Sequence, residues 1–145
     1  MLGRWVSDLQ VGDRLPEVEY VASPFMIREY CHGVEESSER FLGASGPGGQ
    51  LAVPTLVHID KLRVLDRACP GGPGPAARLH YEYDATYHRP VAAGARLSVS
   101  GHIEERSERN GRERLVIVFE LRDAATGALH TTYRDTSLLS YRAGG

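Results

Sequence analysis

The stretch VPTLVHIDKLRVLDRA, Val53 to Ala68, limits the fold more than any other part of the chain. Pro54 suits the first position of a helix, where its missing N–H costs no bond, and CPGGPGP from Cys69 onward is a firm stop. Wound at about 100° per residue, Leu56, Val57, Ile59, Leu62, Val64 and Leu65 leave no wide polar face. A helix that is apolar nearly all round belongs inside a fold or at an interface. The rest of the chain must cover it.

Downstream the apolar period changes to two. Leu79, Tyr81, Tyr83 and Tyr87 alternate with His80, Glu82, Asp84 and His88, which predicts a strand half buried by its aromatic side. Leu97, Val99 and Ile103 predict a second strand, and Leu115, Ile117, Phe119 and Leu121 a third. The RNG at Arg109 to Gly111 marks a hairpin turn between these two. Thr126-Gly127 turns the chain again into the closing strand ALHTTYRDTSLLSY.

Upstream, DRLPEVEYVAS predicts an early strand. Ser23 and Pro24 supply a cap and a first helical residue for an amphipathic helix with Ile27, Tyr30, Cys31 and Val34 on one face and Gly33 as its weak point. GASGPGGQ, Gly43 to Gln50, is too rich in glycine and proline for helix or ladder. The order strand, helix, long helix, antiparallel run, without internal repeat, predicts one α+β domain over residues 1–145: a curved antiparallel sheet wrapped around a long central helix.

Composition removes several function classes. The 145 residues suffice for a core without disulfides or metals. A formal charge of −2, with the arginines scattered among acids and Lys61 the only lysine, gives no footprint for nucleic acid or an anionic membrane. No apolar run approaches the ~18 residues of a membrane span, and the start lacks the apolar core of a secretory signal, so a cytoplasmic location is expected. Cys31 and Cys69 lack CxxC spacing. No glycine-rich loop follows a strand, so no nucleotide cofactor is indicated; no cofactor of any kind and no metal are expected.

Three places hold candidate chemistry. VEESSERFL, Val34 to Leu42, concentrates Glu35, Glu36 and Glu39; it reads as a solvated helix end or as an acid–base site in which Glu36, aimed into an apolar tunnel, holds its proton unusually well. On the central helix, His58 and Asp60 sit among apolar neighbours, where burial is costly unless each is paired. Two residues apart, they point about 160° away from one another, so they form no dyad by themselves. His80, Glu82, Asp84 and His88 share a strand face but lack a second convergent element for a metal. Cys31 and His32 are helix neighbours that do not face each other, and neither serine of ESSE sits in a nucleophile elbow. Candidate ligand-lining residues are Met26, Tyr30, Pro54, Thr55 and Tyr81, with Trp5, Phe25, Tyr83 and Tyr87 as core or channel aromatics.

Several stretches, VGDRLPEVEY, IREYCHG, LAVPTLVHIDKL and above all YHRPVAAGARLSVSGHIEERSERNGRERLVIVFELRDAATGALHTTYRDTSL, resemble the MaoC-like dehydratases of the hotdog fold, especially the dehydratase region of fungal-type fatty acid synthase. The most specific is HRPVAAGARL, an R-P-x-x-x-G lead into a strand. The resemblance implies addition or removal of water across the double bond of an acyl thioester on coenzyme A or an acyl carrier protein. It also implies a tunnel between two hotdog units, an Asp and a His in a D-x-N-P-x-H pattern, and backbone N–H groups near the start of the central helix holding the thioester oxygen. That pattern falls on VEESSERFL, where Glu36 stands near the Asp but the residue five later is Phe41.

The dyad of the family is thus absent, and three functions follow as expectations. The first is a dehydratase or hydratase of an acyl-thioester or polyketide chain with a substituted set, Glu36 with His58 or Asp60. The second is a cyclase that folds a polyketide or polyene by shape. The third is the non-catalytic acyl-binding subunit of a two-chain dehydratase. All three expect a hydrophobic acyl or polyketide ligand and a homodimer or heterodimer with another hotdog chain.

Overall fold

The computed structural model describes residues 5–43, 49–72 and 78–139. A short 3-10 turn, Val6–Asp8, leads into β1 (Arg14–Val21), α1 (Pro24–Gly33) and the single-turn α2 (Glu39–Leu42). A second 3-10 turn at Pro54–Leu56 runs directly into α3 (Val57–Ala68). Then come β2 (Arg78–Tyr87), β3 (Arg96–Arg109), β4 (Arg112–Asp123) and β5 (Leu129–Leu139). They form one antiparallel sheet in the order β1-β3-β4-β5-β2.

Local chemistry explains the main boundaries. The Ser23 hydroxyl accepts the Met26 N–H at 3.1 Å and caps α1, an arrangement worth about 1 kcal/mol. Asn110 and Gly111, at φ 54° and 72°, make the β3–β4 turn with both central residues left-handed, the geometry that matches strand twist. Asp123 accepts the N–H groups of Ala125 and Thr126, both at 2.9 Å, and closes the β4–β5 turn.

The inward residues of β3 and β4, Leu97, Val99, Ile103, Leu115, Ile117, Phe119 and Leu121, are buried as their alternation predicts. Gly101 of β3 lies opposite Phe119 of β4. A Cβ there would stand 3.0 Å from the Phe119 ring and 3.1 Å from Leu15, so the missing side chain is the space the ring occupies. The helix α3 lies against β1 and β3, with Leu56, Val57, Val64, Leu65 and Ala68 in the core.

Three expectations need correction. The buried face of α3 also carries Asp60 and Lys61, while Leu62 is 46% exposed; the sheet of one chain covers only part of the helix. Val34 is 51% exposed, because α1 ends at Gly33 and the chain has already turned away from the Ile27–Cys31 face. On β2, Tyr83 and Tyr87 are 44% and 45% exposed. That strand is an edge of the sheet, and a register shift between His80 and Glu82 breaks its simple alternation.

Candidate active site

VEESSERFL forms two caps. Glu35 adopts φ 57°, a left-handed turn that closes α1, and the Glu36 N–H returns to the Cys31 carbonyl at 2.9 Å. The Glu36 carboxylate accepts the Ser38 N–H at 2.9 Å, and the Ser38 hydroxyl accepts from the Arg40 N–H at the start of α2. The glutamates therefore shape a turn between two helices. Glu36 does not line the cavity described next, but Phe41, carried on α2, does.

The cavity has a volume of about 260 Å³. Its walls come from α2 (Arg40, Phe41), the start of the central helix (Val53, Pro54, Leu56, Val57, Asp60), the segment after β2 (His88 to Val91) and the sheet (Tyr20, Leu97, Leu121, Thr131). Gln50 holds α2 in place by donating its amide to the Phe41 carbonyl at 2.7 Å, and the Leu51 N–H adds a bond to the Arg40 carbonyl at 2.9 Å. The depth is mainly aliphatic, whereas Arg40, His88 and Arg89 are exposed side chains at the rim.

Asp60 is the one carboxylate in this wall among the described residues. It is 1% exposed, and neither carboxylate oxygen has a hydrogen-bond partner among the described residues. Burial pushes its pKa up from 3.8 to about 6, opposed by the neighbouring Tyr20 hydroxyl and the Arg63 guanidinium. Tyr20 is raised in turn, first by burial and then by the Asp60 charge. The two groups are close enough to act on each other, yet no hydrogen bond of ordinary geometry closes between them.

His58 leaves α3 in another direction. Tyr133 on β5 places its hydroxyl 3.1 Å from His58 Nδ1 and donates at 3.4 Å to Asp135 Oδ1. Asp135 also receives Lys61 Nζ at 3.1 Å and the Ser137 hydroxyl at 2.9 Å. The His58 ring meets Tyr83 and Tyr133 edge-on, at centroid distances of 4.7 and 5.3 Å. This polar network fastens α3 to the sheet.

Glu36, His58 and Asp60 thus occupy three separate environments, and within one chain the structure does not bring them into one cavity. The helix geometry that separates His58 from Asp60 is the reason for one half of this, and the capping role of Glu36 for the other. Of the expected ligand-lining residues, Pro54 lines the cavity. Tyr30 and Thr55 instead hydrogen-bond to each other at 2.8 Å, and Met26 receives an Arg63 contact at its sulfur at 3.3 Å. The Tyr81 side chain lies outside the described residues. Among the described residues no group of three metal-ligating side chains converges, and no helix is long and apolar enough to cross a membrane. His130, with both ring nitrogens buried and unbonded, stands outside the cavity lining.

No protein-family model and no curated protein sequence matches this chain. Solved structures do, over almost its whole length. The (R)-hydratase PhaJ1 of Pseudomonas aeruginosa superposes with a TM-score of 0.74, covering 94% of this chain and 85% of its own at 16% identity. The HadBC (3R)-hydroxyacyl-ACP dehydratase complex of Mycobacterium tuberculosis gives 0.75, with 88% and 96% covered at 19% identity. A monoamine oxidase regulatory protein of Archaeoglobus fulgius gives 0.77, with 93% of each chain covered at 15% identity. The chain has the hotdog fold. In this hotdog chain, the antiparallel sheet and the central helix expected from the sequence are both present.

Sequence reasoning missed Tyr20, Arg40 and Arg89. Tyr20 lies near the end of an edge strand and closes the stretch VGDRLPEVEY, one of those that carry the resemblance, but nothing in that stretch singles out the tyrosine. Arg89 lies within HRPVAAGARL, the most specific stretch of the resemblance, where proline and glycine drew attention before the charge did.

Proposed function

We propose that this chain binds a hydrophobic acyl or polyketide chain, presented as a thioester, in the cavity between Phe41 and Asp60. There it carries out dehydratase-type proton transfer with Asp60 in place of the missing Asp/His dyad. The observation that carries this reading is Asp60 itself: a buried carboxyl without a hydrogen-bond partner among the described residues, in the wall of a mainly aliphatic cavity, with its pKa raised to about 6. A carboxyl near neutrality can both give and take a proton at working pH. Val53 to Val57, the start of the central helix, lines the same cavity, and no side chain caps it. In that segment Pro54 has no N–H, and the Leu56 and Val57 N–H groups bond the Val53 and Thr55 carbonyls, so a thioester oxygen there competes with those bonds.

A cavity of 150 Å³ accommodates benzene, so about 260 Å³ takes roughly ten heavy atoms. A crotonyl thioester fills it poorly and is expected to be hydrated slowly. The test substrate is therefore a 2-decenoyl thioester, its hydration followed by loss of the enoyl absorbance. Asp60→Asn should lower turnover by roughly 10²-fold or more, while Glu36→Gln should leave it near the parent value.

Phe41 favours a second reading. It occupies the cavity wall from the position where the resemblance places a His, and HadBC is a two-chain complex. On this reading the chain is the acyl-binding half of a heterodimer. Turnover would then appear only after a dyad-bearing hotdog chain is added, and would follow that chain's residues.

A further inference from the structure

Asp60 lines the cavity but both its oxygens are shielded from solvent. Tyr20, in the same wall, is only half buried. Its backbone is fixed in the β1–β3 ladder opposite Leu97. The Arg63 guanidinium covers its ring at 4.6 Å from the centroid, and Arg63 also reaches the Met26 sulfur. The ladder thus fixes the backbone and Arg63 covers the ring, and the phenol stands beside the hidden carboxyl. Burial and the Asp60 charge both favour the protonated phenol, so Tyr20 stays neutral while Asp60 titrates.

A neutral hydroxyl next to a carboxyl that titrates has two hydrogen-bond orders. Once a seated ligand brings the two into bonding distance, a protonated Asp60 would donate its carboxyl O–H to the Tyr20 oxygen and release the Tyr20 O–H to donate into the cavity. With Asp60 ionised, the Tyr20 O–H turns back to the carboxylate and its lone pairs face the cavity instead. Such bonds are commonly long or misaligned before a ligand is seated.

Resting on the assignment of the Asp60 cavity as the acyl site, we infer that Tyr20 is the group that meets the ligand. It donates to a carbonyl oxygen when Asp60 holds its proton and accepts from a hydroxyl when Asp60 is ionised. The cavity is then selective for a chain that carries an oxygen function at the Tyr20 end, and plain hydrocarbon leaves that pair unmatched. The other charged or titratable groups facing Asp60 and the cavity are Arg63 on the same helix, Arg40 and Arg89 at the rim, His88 beside them and Tyr87 at the end of β2.

The probe is 2-nonanone labelled with ¹³C at its carbonyl, bound to the intact protein and observed by NMR between pH 4.5 and 8. In the parent the carbonyl resonance should lie downfield of its position in Tyr20→Phe at low pH, and the difference should disappear as pH rises through about 6, the value to which burial lifts Asp60. In Asp60→Asn the downfield shift should persist without titrating. His88 remains in that variant, so a titration that survives there belongs to the rim and overturns the inference. An identical carbonyl shift in the parent and in Tyr20→Phe overturns it as well, even where Asp60→Asn abolishes decenoyl turnover and the assignment of function stands. Failure of the parent to bind 2-nonanone overturns it together with the cavity assignment.

Discussion

Replacing Asp60 with asparagine should make the protein more stable while it removes function. The carboxyl pKa rises from 3.8 to about 6 on folding, roughly two pH units, which at about 1.4 kcal/mol per unit corresponds to about 3 kcal/mol. Between those two pH values the folded chain keeps a proton that the unfolded chain has lost. Stability therefore falls as pH rises through that window, and the deficit persists above it. Asp60→Asn has no charge to desolvate. At pH 7.5 it should be more stable than the parent by up to about 3 kcal/mol, a ceiling because the amide is itself a buried polar group. For a domain of this size that is a melting-temperature gain approaching 10 °C, at about 2–4 °C per kcal/mol. Thermal and urea unfolding at fixed protein concentration, from pH 4 to 8, measures it. The gain should shrink toward zero near pH 4. A variant less stable than the parent at pH 7.5, or a gain that does not change with pH, refutes the claim that Asp60 is an unpaired, desolvated carboxyl.

Lys61→Met should destabilise by about 3–5 kcal/mol, because it removes the ammonium from beside the buried Asp135 carboxylate; Lys61→Met with Asp135→Leu should restore most of that in urea titration, and a single variant within 1 kcal/mol of the parent would contradict the pairing. The protein should be a dimer by light scattering at micromolar concentration, since Leu62, Tyr83 and Tyr87 are nearly half exposed on the helix and the edge strand of one chain. A monomer there would mean that the uncovered helix face needs no partner.

The parts of the fold that were legible in the sequence are those set by local rules. Ser23 followed by Pro24 is a helix start in any context, Asn110-Gly111 is a hairpin turn by its backbone freedom, and the alternation from Leu115 to Leu121 can bury only one face of a strand. The site was less legible because its groups acquire their properties from distant neighbours. Lys61 reads as a solvated residue until Asp135, on the last strand, is brought beneath the helix. Glu36 looks catalytic by its charge but is used up by a backbone N–H two residues on. The separation of His58 from Asp60 could be read from helix geometry alone, whereas the nearness of Asp60 to Tyr20 required knowing that β1 lies against α3.

The buried position of Lys61 also gives the folded molecule an unusual reactivity toward acylating reagents. No other lysine exists in the chain, and this one, on the inner face of α3, is 4% exposed, so on the folded protein an amine-directed reagent meets a lysine it can scarcely reach. Slow modification at Lys61 would then time the lifting of α3 from the sheet, residue by name, without any introduced label.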